Sequence, residues 1–548
     1  MYSAHIDTFA RDRLPPPEAW PHFNRAAPDF AFPERLNAAE VLLDGAIGRG
    51  FAARPALRGT AVTWTYAELL ERANRVAHVL VENFGVVPGN RVLIRSANNP
   101  MTVACWMGVA KAGGINVATM PLLRAGELAA IVDRTEAKLA LTDRRLAEEM
   151  ARCRELAPGL ERIAEFDGTG AANGELERLM AAKPIDFSNV PTAAEDIALI
   201  AFTSGTTGAP KGAMHSHRDV IAITRTFPRA VLKPVPDDVF IGTPSLAFTF
   251  GFGTLAIFPL CFGASTVLLE TLSPEVLLNA IQDYEATLCF TVPTGYRAML
   301  RAMAGQGGGA ERLGSLRLCA SAGEALPVAT FEAWRRATGH SIVDGIGTTE
   351  MLNHFISAPL EAVRPGATGK PLPGYEARIV DEELRPLPPG ETGLLAVRGP
   401  TGCRYLDDPR QSSYVRDGWN LTGDSFTCDE DGYFWYAARN DDMIVSSGYN
   451  IAGPEVEDAL LSHPAVAECA VVAAPDADRG SVPKAYVVPA DSHPVSEGLV
   501  RELQDFVKQR IAPYKYPRRI GFLAELPRTE TGKVQRYKLR ERAAVEAE

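Results

Sequence analysis

Short apolar runs of strand length alternate with helix-length stretches through most of this chain, and that alternation limits the folds open to it. Arg91-Val-Leu-Ile-Arg95 comes before a helical stretch from Thr102 to Ala112, and Lys138-Leu-Ala-Leu-Thr142 follows. Further on, Thr287-Leu-Cys-Phe-Thr291 precedes a helical stretch from Tyr296 to Ala304. Apolar strands separated by helices predict parallel sheets covered by helices. At 548 residues, with 46% hydrophobic and 22% charged, the chain is long enough for several cores. After about residue 380 the texture changes to short strands punctuated by turns. A compact final segment after Asn440 carries strands near 467–472 and 484–488, and the sharpest boundary is Arg439-Asn-Asp-Asp442.

Charge and cysteine usage exclude several functions. A net charge of -11 argues against nucleic acid as the main partner, because neutralising phosphates needs a basic face. The eight cysteines form no CxxC pair and no metal spacing, as expected of scattered thiols in a reducing cytoplasm. The opening residues carry Asp7, Arg11 and Arg13 without an apolar core, so no secretory signal is expected. Residues 239–269 form an uncharged run of 31, long enough on paper to span a bilayer. Its glycines and prolines favour a buried helix followed by a buried strand, Ala264-Ser-Thr-Val-Leu-Leu269.

The chemistry concentrates in Thr203-Ser-Gly-Thr-Thr-Gly-Ala-Pro-Lys-Gly212, which follows the apolar run Ile197 to Phe202 and precedes a stretch from Arg218 suited to start a helix. Glycine lets backbone N–H groups turn toward an anion, hydroxyls add donors and lysine adds a point charge, so the run suits a polyphosphate. It is not the G-x-x-x-x-G-K-[ST] loop: Gly205 and Gly208 are too close, and Gly212 stands where a magnesium-binding hydroxyl belongs.

A second constellation is Asp344-Gly-Ile-Gly-Thr-Thr-Glu350. Mg²⁺ takes oxygen ligands and rides on substrate phosphates with one or two carboxylates, a role open to Glu350. Read alone, the stretch is equally a turn before a helix with Thr and Glu as caps. Three more stand out: Ser321-Ala-Gly-Glu-Ala-Leu-Pro327, Gly418-Trp-Asn-Leu-Thr-Gly-Asp424, and Leu526-Pro-Arg-Thr-Glu-Thr-Gly-Lys-Val-Gln-Arg536.

In this order, and over roughly residues 50 to 540, the five stretches resemble the adenylate-forming superfamily of acyl- and aryl-CoA synthetases, luciferases and adenylation domains. The resemblance implies an α/β fold: a large N-terminal domain, 1–440, of helix-covered β-sheets with a small β-barrel-like part, and a small mobile α+β C-terminal domain, 441–548. It implies that Thr203, Ser204, Gly205, Thr206, Thr207, Gly208 and Lys211 cradle the β- and γ-phosphates of ATP. Gly323 and Glu324 would line the adenine and acyl pockets, and Asp344, Gly345, Ile346, Gly347 and Thr348 would belong to the adenine-and-phosphate motif that binds ATP. Thr349 would donate to the α-phosphate, Glu350 would hold Mg²⁺, and Asp424 and Arg439 would take the ribose hydroxyls. Lys533 would be the catalytic lysine, since a cation beside the α-phosphate favours the charge that builds as a carboxylate attacks. Asp441 would be the hinge, and Ser447, Gly448 and Tyr449 would face the site for thioester formation.

The implied reaction has two steps, carboxylate plus ATP to acyl-AMP and pyrophosphate, then CoA to acyl-CoA and AMP. Its partners are a small carboxylic acid, ATP and CoA, with no nucleic acid and no membrane span; a homodimer is compatible with it. Two features depart from many relatives: Val445 replaces a basic residue, and Ile346 replaces an aromatic that would stack under adenine. The Asp-Gly-Ile-Gly variant followed by Thr-Glu-Met351-Leu is similar to benzoate- and 2-aminobenzoate-CoA ligases. Ala247, Phe248, Phe252, Asn353 and His354 are the expected acid pocket, because flat aromatic walls suit a benzoate-sized ring. A medium-chain or branched fatty acyl-CoA synthetase and a stand-alone enzyme that loads a carrier protein are the alternatives.

Overall fold

The computed structural model describes every residue except 1, 26, 170–172, 204–209, 306–308, 440, 441, 447, 448, 477, 478, 491–494, 530, 531, 547 and 548; the side chains of 203, 445, 449, 450, 480 and 513 are also outside the description. Among the described residues, one sheet runs in the order Arg162–Phe166, Leu139–Asp143, Arg91–Arg95, Ile115–Thr119, Ile197–Thr203, Lys211–Ser216. Its first five strands are parallel, as the alternation predicts. Arg91–Arg95 lies inside the sheet and is buried along its whole length. The helix that follows, Pro100–Lys111, is buried at every position, which matches its all-round apolar sequence. Asn99 starts it by accepting from Thr102 N–H, with Pro100 at the first turn, a cap that stabilises by about 1 kcal/mol.

The helix expected from Arg218 is present, starting one residue earlier, and a strand that was not foreseen lies between it and the glycine-rich run. Lys211–Ser216 pairs antiparallel with Ile197–Thr203, with Thr203 opposite Lys211, and the helix His217–Ala222 starts only afterwards under a Ser216 capping box. Lys-Gly-Ala-Met-His-Ser lacks an apolar run because this strand buries a histidine and a serine along with its apolar residues, so its sequence gives no strand signal.

The second sheet has a parallel centre of Val239–Gly242, Ser265–Val267, Leu288–Thr291, Leu318–Ser321 and Ile342–Gly347. His354–Ser357 turns back antiparallel on Ile342–Gly347. The uncharged run at 239–269 is a strand, a broken helical passage through Thr249–Phe252, Gly253–Ile257 and Phe258–Phe262, and the strand Ser265–Val267. The expected helix and final strand are present, and the opening strand was not foreseen. Phe240 in that strand stacks on Phe290 with ring centroids 5.6 Å apart. Among the described residues no helix is long and apolar enough to cross a membrane.

A third, antiparallel sheet contains Glu376–Val380, Gly393–Arg398, Trp419–Cys428 and Phe434–Arg439. The C-terminal sheet pairs Val466–Asp476 with Gly480–Pro489, and Arg519–Phe522 runs parallel to the latter. With the helices Gly453–Leu461 and Glu497–Arg510 it closes over a core of Ile444, Val456, Leu460, Val471, Val487 and Leu503. Among the described residues, polar contacts tie this part to the rest: Asp458 accepts from Ala329 N–H at 3.1 Å, and Glu468, which also receives Arg528 of its own part at 2.6 Å, receives Arg301 at 3.1 Å.

Candidate active site

The strand Ile342–Gly347 ends in the 3₁₀ turn Thr349–Met351, which delivers Glu350. Thr348 caps that turn through Met351 N–H, so the capping role admitted by the sequence is real. Gly347 is required by close approach: a Cβ there would lie 2.7 Å from the backbone C and O of Asn353. Leu352, next after the turn, is buried with φ +68°, a conformation costly for a side chain of its size.

Glu350 is 7% exposed, and the Tyr405 hydroxyl donates to its Oε1 at 2.5 Å. Burial, then the Glu350 charge, pushes the Tyr405 phenol well above its usual value, so it stays a donor. Lys211 Nζ lies 5.4 Å from the centroid of the Tyr405 ring. Tyr414 packs edge-on against Tyr405 and shares a 3.3 Å hydrogen bond with Thr348 Oγ1. On the other side, His215 Nε2–H donates to the Thr349 carbonyl at 2.8 Å, and burial lowers this imidazole to about 4.

Asp344 Oδ1 is buried with no hydrogen-bond partner among the described residues, and burial raises its carboxyl well above the usual range. Ile346 is half-buried against the main core. Asp424 and Arg439 face each other across an antiparallel pair, with Arg439 Nη1 3.3 Å from Asp424 Oδ1. Burial raises Asp424, an effect opposed by the charges of Arg439 and Lys533. Burial likewise raises Glu324, opposed by Arg528, Arg297, Lys533 and Arg536.

Lys533 sits at an exposed turn in which Thr529 N–H donates to its carbonyl at 2.7 Å and its own N–H donates to Thr529 Oγ1 at 3.1 Å. The lysine reaches the large part of the molecule: a Cβ built on Gly323 would lie 3.7 Å from Lys533 Cε. Gly323 has φ +89°, open mainly to glycine. Motifs far apart in sequence, at 323–324, 424–439 and 533, therefore share one charged neighbourhood.

Ala247 and Phe248 are half-buried and Phe252 is buried; with Trp106, Leu246 and Thr249 they line a crevice without a charged side chain. Phe252 lies 4.6 Å from Trp106, centroid to centroid. Asn353 and His354 are more enclosed than an open pocket wall. Asn353 Nδ2 donates to the Thr249 carbonyl at 3.1 Å and its Oδ1 accepts from His354 Nδ1 at 2.7 Å. The His354 ring stacks on Phe227 at 4.1 Å, and burial lowers it to about 3. Asn353 thus braces the turn that carries Phe248, and His354 packs behind it.

Ser204, Gly205, Thr206, Thr207, Gly208, Asp441, Ser447 and Gly448 lie outside the described residues, as do the side chains of Thr203 and Tyr449. Sequence reasoning missed Tyr405, Tyr414, His215, Trp106 and Phe227. None stands in a motif, and an isolated ring in one sequence gives no sign of what it will touch.

The AMP-binding enzyme family model matches residues 46–404, and the AMP-binding enzyme C-terminal domain model matches 455–533. The chain is 35% identical to the benzoate–CoA ligase of Thauera aromatica over 94% of this chain and 97% of that one. It is 33% identical to the 3-hydroxybenzoate–CoA ligase of Aromatoleum sp. (strain CIB), over 92% and 97%. The solved structure of the anthranilate CoA ligase AuaEII in complex with anthranoyl-AMP superposes with a TM-score of 0.90 at 34% identity, covering 95% of this chain and all of that one. The chain belongs to the AMP-binding enzyme family. Within it, the protein is an AMP-forming CoA ligase that uses ATP, Mg²⁺ and coenzyme A.

The residues fit the metal. Among the described residues no group of three or more His, Cys, Asp or Glu is placed to hold an ion alone. A single buried carboxylate, Glu350, suits Mg²⁺ carried in on substrate phosphates, and one hydroxyl donor does not saturate its two oxygens.

Proposed function

We propose that this ligase activates an aromatic carboxylic acid, 2-aminobenzoate or a related benzoate. The observation that carries the reading is the gathering of the flat rings of Phe248, Phe252 and Trp106 around a narrow crevice that has no charged side chain in its lining. The aryl-CoA ligases among the relatives support it.

In this reading the molecule has two domains, 1–440 and 441–548, with Asp441 as the hinge between half-reactions. The run at 203–211 binds the β- and γ-phosphates, with Lys211 as its cation. Asp344 offers its unpartnered oxygen to the adenine amino group, and Asp424 with Arg439 binds the ribose. Mg²⁺, when bound with ATP, neutralises charge on the phosphates, and Glu350 is the residue that would hold it. Thr349 donates to the α-phosphate. Lys533, brought beside Gly323, stabilises the charge that develops there as the acid carboxylate attacks phosphorus and pyrophosphate leaves. In the second step the CoA thiolate attacks the acyl carbonyl and AMP departs, with Ser447, Gly448 and Tyr449 facing the site.

The test is a panel of aryl and alkyl acids assayed for CoA-dependent AMP formation. Benzoates with small ring substituents should give the highest kcat/KM. A clear preference for medium-chain fatty acids would sink the aryl assignment.

A further inference from the structure

We propose that Tyr405 is a positioning residue that holds Glu350 and Lys211 in register for the magnesium–triphosphate end of ATP, an inference that rests on the adenylation reading of this site. Tyr405 lies outside the five motifs, yet it links two of them. Its segment runs as an added strand against Lys211–Ser216: Met214 N–H donates to the Arg404 carbonyl and Leu406 N–H to the Gly212 carbonyl, both at 2.8 Å. Gln411 Oε1 accepts from Tyr405 N–H at 2.9 Å and fixes the backbone from the other side. Arg404, just before it, is fully buried on an ion pair with the equally buried Asp219. The ring is therefore anchored before it reaches its partners.

Its partners are what tie it to the candidate site. Buried Tyr66 and Tyr296 give their hydroxyls to backbone carbonyls, and buried Tyr486 gives its own to the Glu546 carboxylate in the C-terminal part, outside the five motifs. Tyr405 instead donates to the carboxylate of Glu350, while its ring lies within cation–π range of Lys211. A hydroxyl that fixes one carboxylate oxygen sets the direction of the other. Outer partners of a metal-holding carboxylate commonly govern metal affinity by about 10- to 100-fold.

The test is ATP binding by calorimetry without acid, so that nothing turns over, as Mg²⁺ is raised, with AMP binding measured alongside. In Tyr405→Phe the Mg²⁺ needed for half-maximal tightening of ATP should rise about 10- to 100-fold, while AMP affinity stays at the wild-type value. Tyr433→Phe, which removes a hydroxyl given to the Ala362 carbonyl in a separate cluster, should keep the wild-type Mg²⁺ dependence. Tyr405→Phe combined with Glu350→Gln should be no worse than Glu350→Gln alone, because the hydroxyl acts through that carboxylate. An unchanged Mg²⁺ dependence in Tyr405→Phe, an equal loss of AMP and ATP binding, or additive losses in the double variant would overturn the proposal. A wild-type protein that binds Mg²⁺ and ATP but releases no pyrophosphate with any acid would overturn the adenylation reading itself, a failure visible without any variant.

Discussion

Lowering the pH from about 7.5 to about 5.5 should destabilise the fold through three buried imidazoles, and the size of the effect follows from their burial. Burial pushes His215 down to about 4, and His217 and His354 down to about 3. All three are neutral in the folded chain throughout this range. In the unfolded chain an imidazole with a pKa of about 6.5 takes up most of a proton by pH 5.5, so each of the three costs about 1.4 kcal/mol and together they cost about 4. A base whose folded pKa is depressed stabilises fully above its unfolded value and loses that contribution as the pH falls toward the folded one. Asp344 and Asp424, raised by burial, act in the opposite sense in part of the same range. The informative quantity is therefore the difference between wild type and His217→Gln or His354→Gln, each measured by urea unfolding at both pH values. Each variant should lose about 1.4 kcal/mol less than wild type on acidification. Identical pH dependence in wild type and both variants would refute the reasoning.

Lys533→Ala should lower acid-dependent pyrophosphate release by about 10²- to 10³-fold while sparing thioester formation from supplied acyl-adenylate. Because the turn is held by backbone groups and Thr529 Oγ1, stability should stay within about 0.5 kcal/mol, readable as an unchanged melting curve. Equal loss of both half-reactions would contradict the role assigned to the lysine. Asp424→Asn should raise the KM for ATP by about tenfold or more, as expected when a charged hydrogen-bond acceptor is lost. Since burial raises Asp424, the wild-type KM for ATP should already climb at a pH above that of an ordinary aspartate titration, and Asp424→Asn should flatten that rise.

The parallel sheets were legible because strands buried on both faces leave unbroken apolar runs, as at Arg91–Arg95 and Leu288–Thr291. Glu350, Asp424, Arg439 and Lys533 were singled out because their neighbours repeat a known order, and the structure gathers Asp424, Arg439 and Lys533 with Glu324 in one charged neighbourhood. The strand Lys211–Ser216 was hidden because its buried histidine and serine break the apolar pattern. Tyr405 and His215 were hidden for another reason. Their partners stand 55 and 134 residues away, and a contact of that separation leaves no trace in one sequence. His354 shows the converse: it was expected at a pocket wall from its place after Glu350, but its ring is taken up by Phe227 and Phe250.

The contact between Asp458 and Ala329 has a mechanical meaning. The helix Val328–Thr338 begins after Pro327, which has no side chain able to serve its first N–H groups, and Asp458 of the C-terminal part supplies the acceptor instead. A cap normally belongs to the chain just ahead of its helix; this one is borrowed across about 130 residues and stabilises by about 1 kcal/mol only while the two parts stay together. Any rotation that carries Gly453–Leu461 away returns those N–H groups to water. Under the domain rotation proposed above, that helix end would be capped in one half-reaction and frayed in the other.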